Sequence, residues 1–306
     1  MEIIKNVSII FMSIFLESLP FLLLGALISA IIETFVSNDT MVKIIPKNKI
    51  LGSIVGVFLG FFLPACDCAV IPVSKRLIKK KVPINVAVSF MLASPIINPV
   101  VLLSTYYAFY KTNPEIFWYR LLFGIIIALL IGIIIGIIFG NKEVIKSGIE
   151  EDDHCCSCDE HHHHHKKDNK LVSIFKHTAI DMFEVVKYLM FGAMLASLVQ
   201  VLLPRNVLVM FNDNPAVSVI ALMLFAYLIS LCSTSDSFVG KSLLSSFPKS
   251  AIIGYLLLGP MIDIKNTIVL LGNYNSKFVA TLISLIFAII FIFSLVVVNI
   301  LWKISF

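Results

Sequence analysis

Residues 64–72 read Pro64-Ala65-Cys66-Asp67-Cys68-Ala69-Val70-Ile71-Pro72 and end an apolar run that is long enough to lie in a membrane. Thiols and carboxylates are costly at membrane depth and usually face a protein interior or a cavity. The two prolines disfavour a continuous helix, because each lacks an N–H donor and restricts the residue before it. Since residues two apart share one side only in extended backbone, the two thiols point the same way only at a break. This stretch therefore predicts a broken membrane helix with a functional site at the break.

The composition of the whole chain is that of a polytopic membrane protein. Its 306 residues are 58% hydrophobic and 14% charged, with a net charge of +5, whereas soluble domains have roughly 25% charged residues. The basic residues lie in short segments between apolar runs, where they set membrane orientation and do not indicate binding to nucleic acid. The first run, 7–36, is too long for a signal-peptide core and has no small-residue cleavage site, so we expect a retained span.

Eight apolar runs reach the length of about 20 residues that a transmembrane helix needs. They cover 7–36, 50–72, 83–110, 117–140, 175–203, 215–240, 249–272 and 278–302. We therefore predict an all-α protein with a membrane repeat at 1–140, a cytoplasmic linker at 141–174 and a second repeat at 175–306. The densest basic segment, 73–82, is predicted to be cytoplasmic. With eight spans, both termini and the linker then lie on that side, and 37–49, which is also basic, lies on the other.

Three pairs of motifs recur in the same order in the two halves, which indicates an internal duplication. The segment from Leu16-Glu17 to Gly25-Ala26 matches the segment from Phe183-Glu184 to Gly192-Ala193 at an offset of 167 residues. Cys66 and Lys75 match Cys232 and Lys241 at an offset of 166 residues. The segment from Ser94 to Asn98 matches the segment from Gly259 to Asp263 at an offset of 165 residues. Transporters are often built from such repeats, with the site near the bilayer midplane at broken helices. Four spans per repeat would make the halves parallel, and a re-entrant element in each would make them inverted. The sequence leaves both arrangements open.

The thiols of the first half predict a site for a soft cargo. Thiolates select cations such as Cu(I) and Zn(II), and trivalent arsenic binds them for the same reason. The second half supplies mainly oxygen atoms, at Cys232-Ser233-Thr234-Ser235-Asp236. Alternatively, the cysteines pack as small hydrophobes and the hydroxyls bond to helix carbonyls.

Prolines interrupt two further apolar runs, at 94–99 and at 259–263. Broken helices are tolerated at membrane depth where the loose backbone is buried or lines a cavity, so we expect Asn98 and Asp263 to point inward. The alternative is an ordinary proline kink. The candidate substrate-binding residues are Cys66, Asp67, Cys68, Asn98, Cys232, Ser233, Ser235, Asp236 and Asp263.

Two glutamates occupy equivalent places in the first run of each half, Glu17 and Glu184. A desolvated carboxyl group takes up and releases protons near neutral pH, so both are candidates for coupling transport to a proton gradient. Alternatively, each pairs with a base or lies near the membrane interface, as Lys187 one turn after Glu184 indicates.

The linker carries an unusual density of metal-ligating side chains and no apolar periodicity, so we expect it to be disordered without a ligand. The types of ligand suit zinc or copper but lack the spacing of a zinc finger. The alternative is a solvated tract that binds metal adventitiously. The candidate ligands are His154, Cys155, Cys156, Cys158, His161, His162, His163, His164 and His165.

Four segments together resemble a bacterial predicted-permease family that includes organoarsenical efflux permeases and a copper/zinc efflux branch. They are 64–72, Ala93-Ser94-Pro95-Ile96-Ile97-Asn98-Pro99, Cys232 to Asp236, and Gly259-Pro260-Met261-Ile262-Asp263-Ile264-Lys265-Asn266. The resemblance implies a multi-pass permease of the bacterial inner membrane. Many members have Cys-Ser-Cys-Gly where this chain has Cys66-Asp67-Cys68-Ala69, and Asp67 adds a hard ligand and a charge.

The sequence thus predicts a secondary transporter that exports a thiophilic metal or metalloid species. It would not be an enzyme and would require no cofactor, although the linker could hold zinc or copper. Its partners would be membrane lipid, the cargo and, in a homo-oligomer, further copies of the chain. Two alternatives stay open: a membrane thiol oxidoreductase that uses Cys66 and Cys68, and a partner subunit of a membrane complex with no substrate of its own.

Overall fold

The computed structural model describes residues 2–35, 46, 48–63, 67–140, 143–146, 170–202 and 214–297. In this part of the chain the backbone is helical, with no β-strand and one isolated bridge between Ile145 and Tyr274. The first half contributes α1 (Glu2–Phe35), α2 (Lys49–Phe62), α3 (Val70–Lys79), α4 (Ile84–Ile97), α5 (Pro99–Phe109) and α6 (Glu115–Phe139). The second half contributes α7 (Lys170–Leu202), α8 (Pro215–Ile229), α9 (Ser235–Leu243), α10 (Lys249–Met261), α11 (Ile264–Asn273) and α12 (Ser276–Ile292), which ends in a π-helical turn, Phe293–Val297.

The two halves repeat the same order of helices, and they also repeat the residues that start them. Asn48 caps α2 by accepting a hydrogen bond from Ile50 N, and Asn214 caps α8 through Ala216 N, both at 3.0 Å. Side chains that accept a hydrogen bond from the first free N–H groups are what helix starts require. Asn98 and Asp263 cap α5 and α11 in the same way. The duplication inferred from sequence motifs is therefore present in the local structure.

Both predicted broken helices are present. Asn98 stands in extended backbone between α4 and α5, and Ile262 and Asp263 stand in extended backbone between α10 and α11. All residues of α4 are buried, as are nearly all of α10. The broken helices therefore form the centre of the protein, whereas α1 exposes large apolar side chains such as Leu16 and Leu23.

The predicted count of eight spans is not confirmed, because α2–α3 and α8–α9 form re-entrant hairpins in place of two of the spans. Helix α2 has 14 residues and α3 has 10, which at 1.5 Å per residue is about 21 and 15 Å, short of a hydrocarbon core of about 30 Å. Helix α2 runs parallel to α4, since Gly52 packs on Val86 and Gly60 on Ser94. Helix α3 returns, because a tight turn at Lys81 (φ 61°) joins it to the start of α4.

Six helical segments in the described ranges are long and apolar enough to cross a membrane, and α2 and α8 are the shorter apolar helices. Three crossings per half reverse the direction of the second half, so the repeats are inverted. Helix α6 runs antiparallel to α4, with Gly124 on Ile96 and Gly136 on Asn85. The sequence left the choice between parallel and inverted repeats open, and the hairpins decide it.

The two ends of the protein can be identified from contacts between helices. We call the end near Lys79, Val144 and Asn273 the linker end; there Asn275 N bonds to Val144 O at 2.9 Å. The far end is marked by Glu115 and Lys249, whose side chains form an ion pair at 2.9 Å.

Helix α7 leads from the linker end to the far end, because Tyr188 packs on Gly272 and Gly192 packs on Lys265. Near the far end, Gln200 of α7 shares a cavity with Ile9 of α1, while Gly25 of α1 packs at the central break against Ala69. Helix α1 therefore starts at the far end. We expected the amino terminus and the linker to lie on the same side, because eight crossings were predicted. In this topology the two lie at opposite ends of the protein.

Each re-entrant helix packs against the broken helix of the other half. Helix α3 meets the end of α11 through two hydrogen bonds. Lys75 Nζ donates to Asn273 Oδ1 at 2.9 Å, and the hydroxyl groups of Ser74 and Tyr274 bond to each other at 2.8 Å. Helix α9 meets α5, where Ser104 donates to Thr234 O at 2.7 Å. The amino-terminal ends of these four half-helices converge at the middle of the protein, where the site residues lie.

Candidate functional site

A cavity of about 220 Å³ lies between α1, α7 and the breaks in both halves. Its polar lining includes Glu17, Asp67, Cys68, Cys232 and Lys265. Cys68 and Asp67 come from the turn before α3, and Cys232 comes from the loop before α9. The two re-entrant hairpins thus bring one thiol from each half to the same space.

Two glycines at equivalent positions let the long helices approach these breaks. A Cβ atom on Gly25 would lie 2.5 Å from Ala69 Cβ, and one on Gly192 would lie 2.8 Å from Lys265 Cα. No side chain fits at such distances, since each Cβ would overlap its neighbour. Both glycines belong to the first repeated motif, so the duplication preserved the close approach of α1 and α7 to the site.

A buried ion-pair cluster forms the floor of the cavity. Lys265 Nζ donates to Asp67 Oδ2 at 2.8 Å and to Asp263 Oδ2 at 2.5 Å. It also donates to the carbonyl oxygen of Ser230 at 3.3 Å. Ser230 ends α8 at φ 52°, a left-handed conformation that is strained for a residue with a side chain. Asn266 Nδ2 donates to Asp67 Oδ2 at 3.0 Å. The central cluster, Asp67, Asp263, Lys265 and Asn266, thus connects α3 of one half to α11 of the other.

Lys265 was not among the site residues predicted from the sequence, although it stands in one of the motifs that carry the family resemblance. The signal was present, because a lysine within an apolar run is costly unless it has a partner. One of its two carboxylate partners, Asp67, is 198 residues away in the chain, so only the fold shows that pair.

A second polar cluster surrounds Arg120 and contains Asp236. Arg120 is fully buried in α6, where its NH1 donates to Thr105 Oγ1 at 2.7 Å and to Ser237 Oγ at 2.6 Å. Its NH2 donates to Ser233 O at 3.2 Å. Asp236 accepts a hydrogen bond from Tyr255 Oη at 3.0 Å and interacts electrostatically with Arg120. Sequence reasoning missed Arg120, whose charge in an otherwise apolar run was the available signal.

The structure brings together only some of the predicted site residues. Asp67, Cys68, Cys232 and Glu17 line the cavity, and Asp263 lies directly behind Lys265. In the other parts of the site, Ser233 and Asp236 belong to the Arg120 cluster, Ser235 starts α9 half-buried, and Asn98 is buried as the cap of α5. No three His, Cys, Asp or Glu side chains of the described ranges are grouped as a metal site.

Several predicted residues lie outside the described residues. Cys66 does so, as does the side chain of Glu184. The candidate linker ligands also do: His154, Cys155, Cys156, Cys158, His161, His162, His163, His164 and His165.

Comparison with known proteins identifies the family. The model of the ArsP_1 family, described as "Predicted permease", matches residues 3–299. A Streptococcus mutans protein named "Putative two-component membrane permease complex subunit" is 37% identical over 288 residues, which cover 94% of this chain and 93% of that protein. UPF0718 protein YcgR of Bacillus subtilis is 38% identical over 288 residues, covering 94% and 95%. No solved structure matches the chain. This multi-pass chain, with thiols from both inverted halves in one cavity, belongs to the ArsP_1 predicted-permease family.

Proposed function

We propose that this permease exports a thiophilic metal or metalloid species through the cavity between its halves. The observation that carries the proposal is that Cys68 and Cys232, one from each half, line the same cavity. Cys66 lies two residues before Cys68 in the sequence and would add a third thiol. Soft cargo prefers sulfur ligands, and a site shared by two halves changes shape when the halves move relative to each other.

The central cluster supports sulfur as the main ligand. Asp67 Oδ2 already accepts hydrogen bonds from Lys265 and Asn266, so this hard oxygen is committed within the protein. The thiols of Cys68 and Cys232 line the same cavity. A cargo with high affinity for sulfur therefore gains more in this cavity than a hard cation does. Asp236, Ser233 and Ser235 would act at a distance, by fixing the start of α9.

The distribution of basic residues supports a cytoplasmic linker end. Lys75, Arg76, Lys79 and Lys80 belong to α3 or its cap at that end, and Lys49 starts α2 there as well. The basic segment 37–49 thus leads to the same end as 73–82, and both agree with the positive-inside rule. In this orientation the linker is cytoplasmic, where its Cys and His side chains would collect zinc or copper. The start of α1 faces the other side of the bacterial inner membrane.

The cavity extends toward the far end between Ile9 and Gln200, which in this orientation is the side to which cargo is exported. Glu17 lines the same space, and its carboxyl group would take up and release a coupling proton there. Glu184 is its counterpart in α7. We propose that both carry coupling protons in a secondary transport cycle, with no enzymatic reaction and no required cofactor.

The name of the streptococcal relative bears on assembly. That protein is named as a subunit of a two-component complex, and we propose that this chain also associates with a second membrane subunit or with its own copies. Apolar side chains exposed on α1, such as Leu16 and Leu23, suit lipid or another helix. A metal-resistance phenotype that requires only this polypeptide would exclude an obligatory second subunit.

Transport into everted vesicles tests the proposed function. Vesicles that contain the chain should accumulate arsenite, methylated arsenite, zinc, copper or cadmium. Each of the variants Cys68→Ser, Cys232→Ser and Cys66→Ser should lower the initial rate of uptake at least about tenfold, which is the effect of losing one good ligand. The matched control replaces the linker cysteines Cys155, Cys156 and Cys158 with serine, which should leave the maximal rate unchanged. Rates that do not depend on Cys68 and Cys232 would contradict the proposal. Thiol trapping that finds Cys66 and Cys68 cycling to a disulfide would favour an oxidoreductase instead.

A further inference from the structure

We propose that the break between α10 and α11 holds a monovalent alkali cation, with sodium as the expected ion, at a site behind the thiol cavity. The site is a small void lined mainly by apolar residues, with Asp67 and Asn266 as its two polar side chains. Its volume is about 10 Å³, which is room for one water-sized occupant. This void is separate from the 220 Å³ cavity, although Asp67 borders both.

The first evidence for a cation is an oxygen atom without a partner. Asn266 is 2% exposed, and its Oδ1 has no hydrogen-bond donor among the described residues. The orientation of the amide follows from the network, because Nδ2 must face the carboxylate of Asp67. A buried acceptor left unsatisfied is unfavourable, so the position favours an occupant that contributes positive charge.

The second evidence comes from the backbone at the break. Helix α10 ends at Met261, and Ile262 N bonds to Leu258 O at 2.9 Å. Gly259, Pro260 and Met261 are the last residues of this helix, so their carbonyl groups have no further N–H donors within it. The last carbonyls of a helix carry the negative end of its dipole. Half-helix ends of this kind coordinate sodium or protons in transporters with discontinuous helices.

The third evidence is the charge of the central cluster. Asp67, Asp263 and Lys265 are all at most 5% exposed, and with both carboxyl groups ionised the cluster has two negative charges and one positive charge. One negative charge is therefore left without a counterion within the cluster. The penalty for burying an uncompensated charge is several kcal/mol. A monovalent cation neutralises the cluster, whereas a water molecule leaves the charge in place and a divalent ion would reverse its sign.

An ion at this site has a structural consequence. Asp67 belongs to the turn before α3, whereas Asn266 and Pro260 belong to the broken helix of the other half. The ion would therefore bind the two halves together just beyond the cavity floor. The inference concerns binding of the ion, and it stands whether or not the neighbouring cavity transports a thiophilic cargo.

Thermal unfolding of the full chain in detergent tests the site. Sodium chloride at 100 mM should raise the unfolding midpoint by about 2 °C or more over choline chloride at the same ionic strength, because an ion that binds only the folded state stabilises it. Potassium and lithium chloride serve as comparison ions. Asn266→Leu should abolish the sodium-dependent shift, and Asn266→Asp, which adds a carboxylate facing Asp67, should enlarge it.

The matched control is Asn273→Leu, which removes a second buried asparagine of α11. Asn273 donates to Val269 O and accepts from Lys75, so its loss should lower the midpoint and leave the sodium shift intact. The Cys68→Ser/Cys232→Ser variant should also keep the shift, which separates this site from the cargo site. Equal midpoints in sodium and choline, or an unchanged shift in Asn266→Leu, would overturn the proposal. An unenlarged shift in Asn266→Asp would also overturn it, and would show that the void holds water only.

Discussion

The pair of helices α3 and α11 and the pair α9 and α5 occupy equivalent places in the two halves, yet their chemistry differs. Where α3 meets α11, the buried groups are an ion-pair cluster around Lys265 that borders a cavity with two thiols. Where α9 meets α5, neutral hydroxyls and the buried Arg120 hold the helices together, and neither Arg120 nor Asp236 lines the cavity.

This difference shows how the two halves of an inverted repeat can keep the same helices and carry different side chains at equivalent positions. The frame of caps, hairpins and broken helices is shared, because each half needs it to cross the membrane. The groups at the convergence of the half-helices are not shared. In the proposed function, the α3–α11 pair and the loop before α9 would supply the binding groups, and the α9–α5 pair would serve mainly as an anchor.

Removal of the buried positive charge should destabilise the protein more at the α9–α5 pair than at the α3–α11 pair. Arg120→Met removes hydrogen bonds to three residues and leaves Asp236 buried beside no cation, which should lower the free energy of unfolding by about 3–5 kcal/mol. Thermal or denaturant unfolding in detergent would measure the loss. An Arg120→Met protein as stable as the unmodified chain would show that this cluster is not an anchor.

Lys265→Met tests the central cluster in the same way. It leaves two carboxylates buried without their shared cation, and we expect a loss of about 3 kcal/mol. Lys265→Met combined with Asp263→Asn removes one of the two negative charges and should recover at least about 1 kcal/mol relative to the single variant. A double variant no more stable than the single one would mean that Asp263 and Lys265 are not energetically coupled.

The contact at the linker end should contribute less, because it is a neutral hydrogen bond. Tyr274→Phe breaks the bond with Ser74 and should cost about 1 kcal/mol. Tyr274→Phe combined with Ser74→Ala removes both partners and should cost little more than the single change. A loss of several kcal/mol from Tyr274→Phe alone would place the main contact between the halves here and not at Lys265.

The smallest effect is expected at the far end, where Lys249 pairs with Glu115. The two side chains are 29% and 34% exposed, so Lys249→Met should cost less than about 1 kcal/mol and the loss should diminish in high salt. A salt-independent loss larger than that of Tyr274→Phe would contradict this order.

The sequence predicted the features that depend on local chemistry. Prolines marked both broken helices, and Asn98 and Asp263 stand at these breaks. The repeated motifs also predicted the duplication. These features were accessible because helix starts, breaks and close helix approach each need particular residues at particular positions.

The re-entrant hairpins were not predicted, because apolar content alone does not distinguish a hairpin from a span. Residues 50–72 are as apolar as a transmembrane helix, and only the turn near Asp67 returns the chain to the end from which it came. The partners of Lys265 and Arg120 were likewise inaccessible, since Asp67 is 198 residues from Lys265 and Ser237 is 117 from Arg120. Such pairs depend on how the two halves face each other.

The central claim is that thiols from both halves form one cargo site, and binding of a thiophilic probe tests it most directly. The protein for this measurement carries serine at Cys155, Cys156 and Cys158, so that the linker does not bind the probe. We predict that phenylarsine oxide binds this protein with one equivalent per chain in a titration of its thiols. In the same background, Cys232→Ser, which leaves Cys66 and Cys68 of the first half in place, should bind none. An unchanged stoichiometry in Cys232→Ser would contradict the claim.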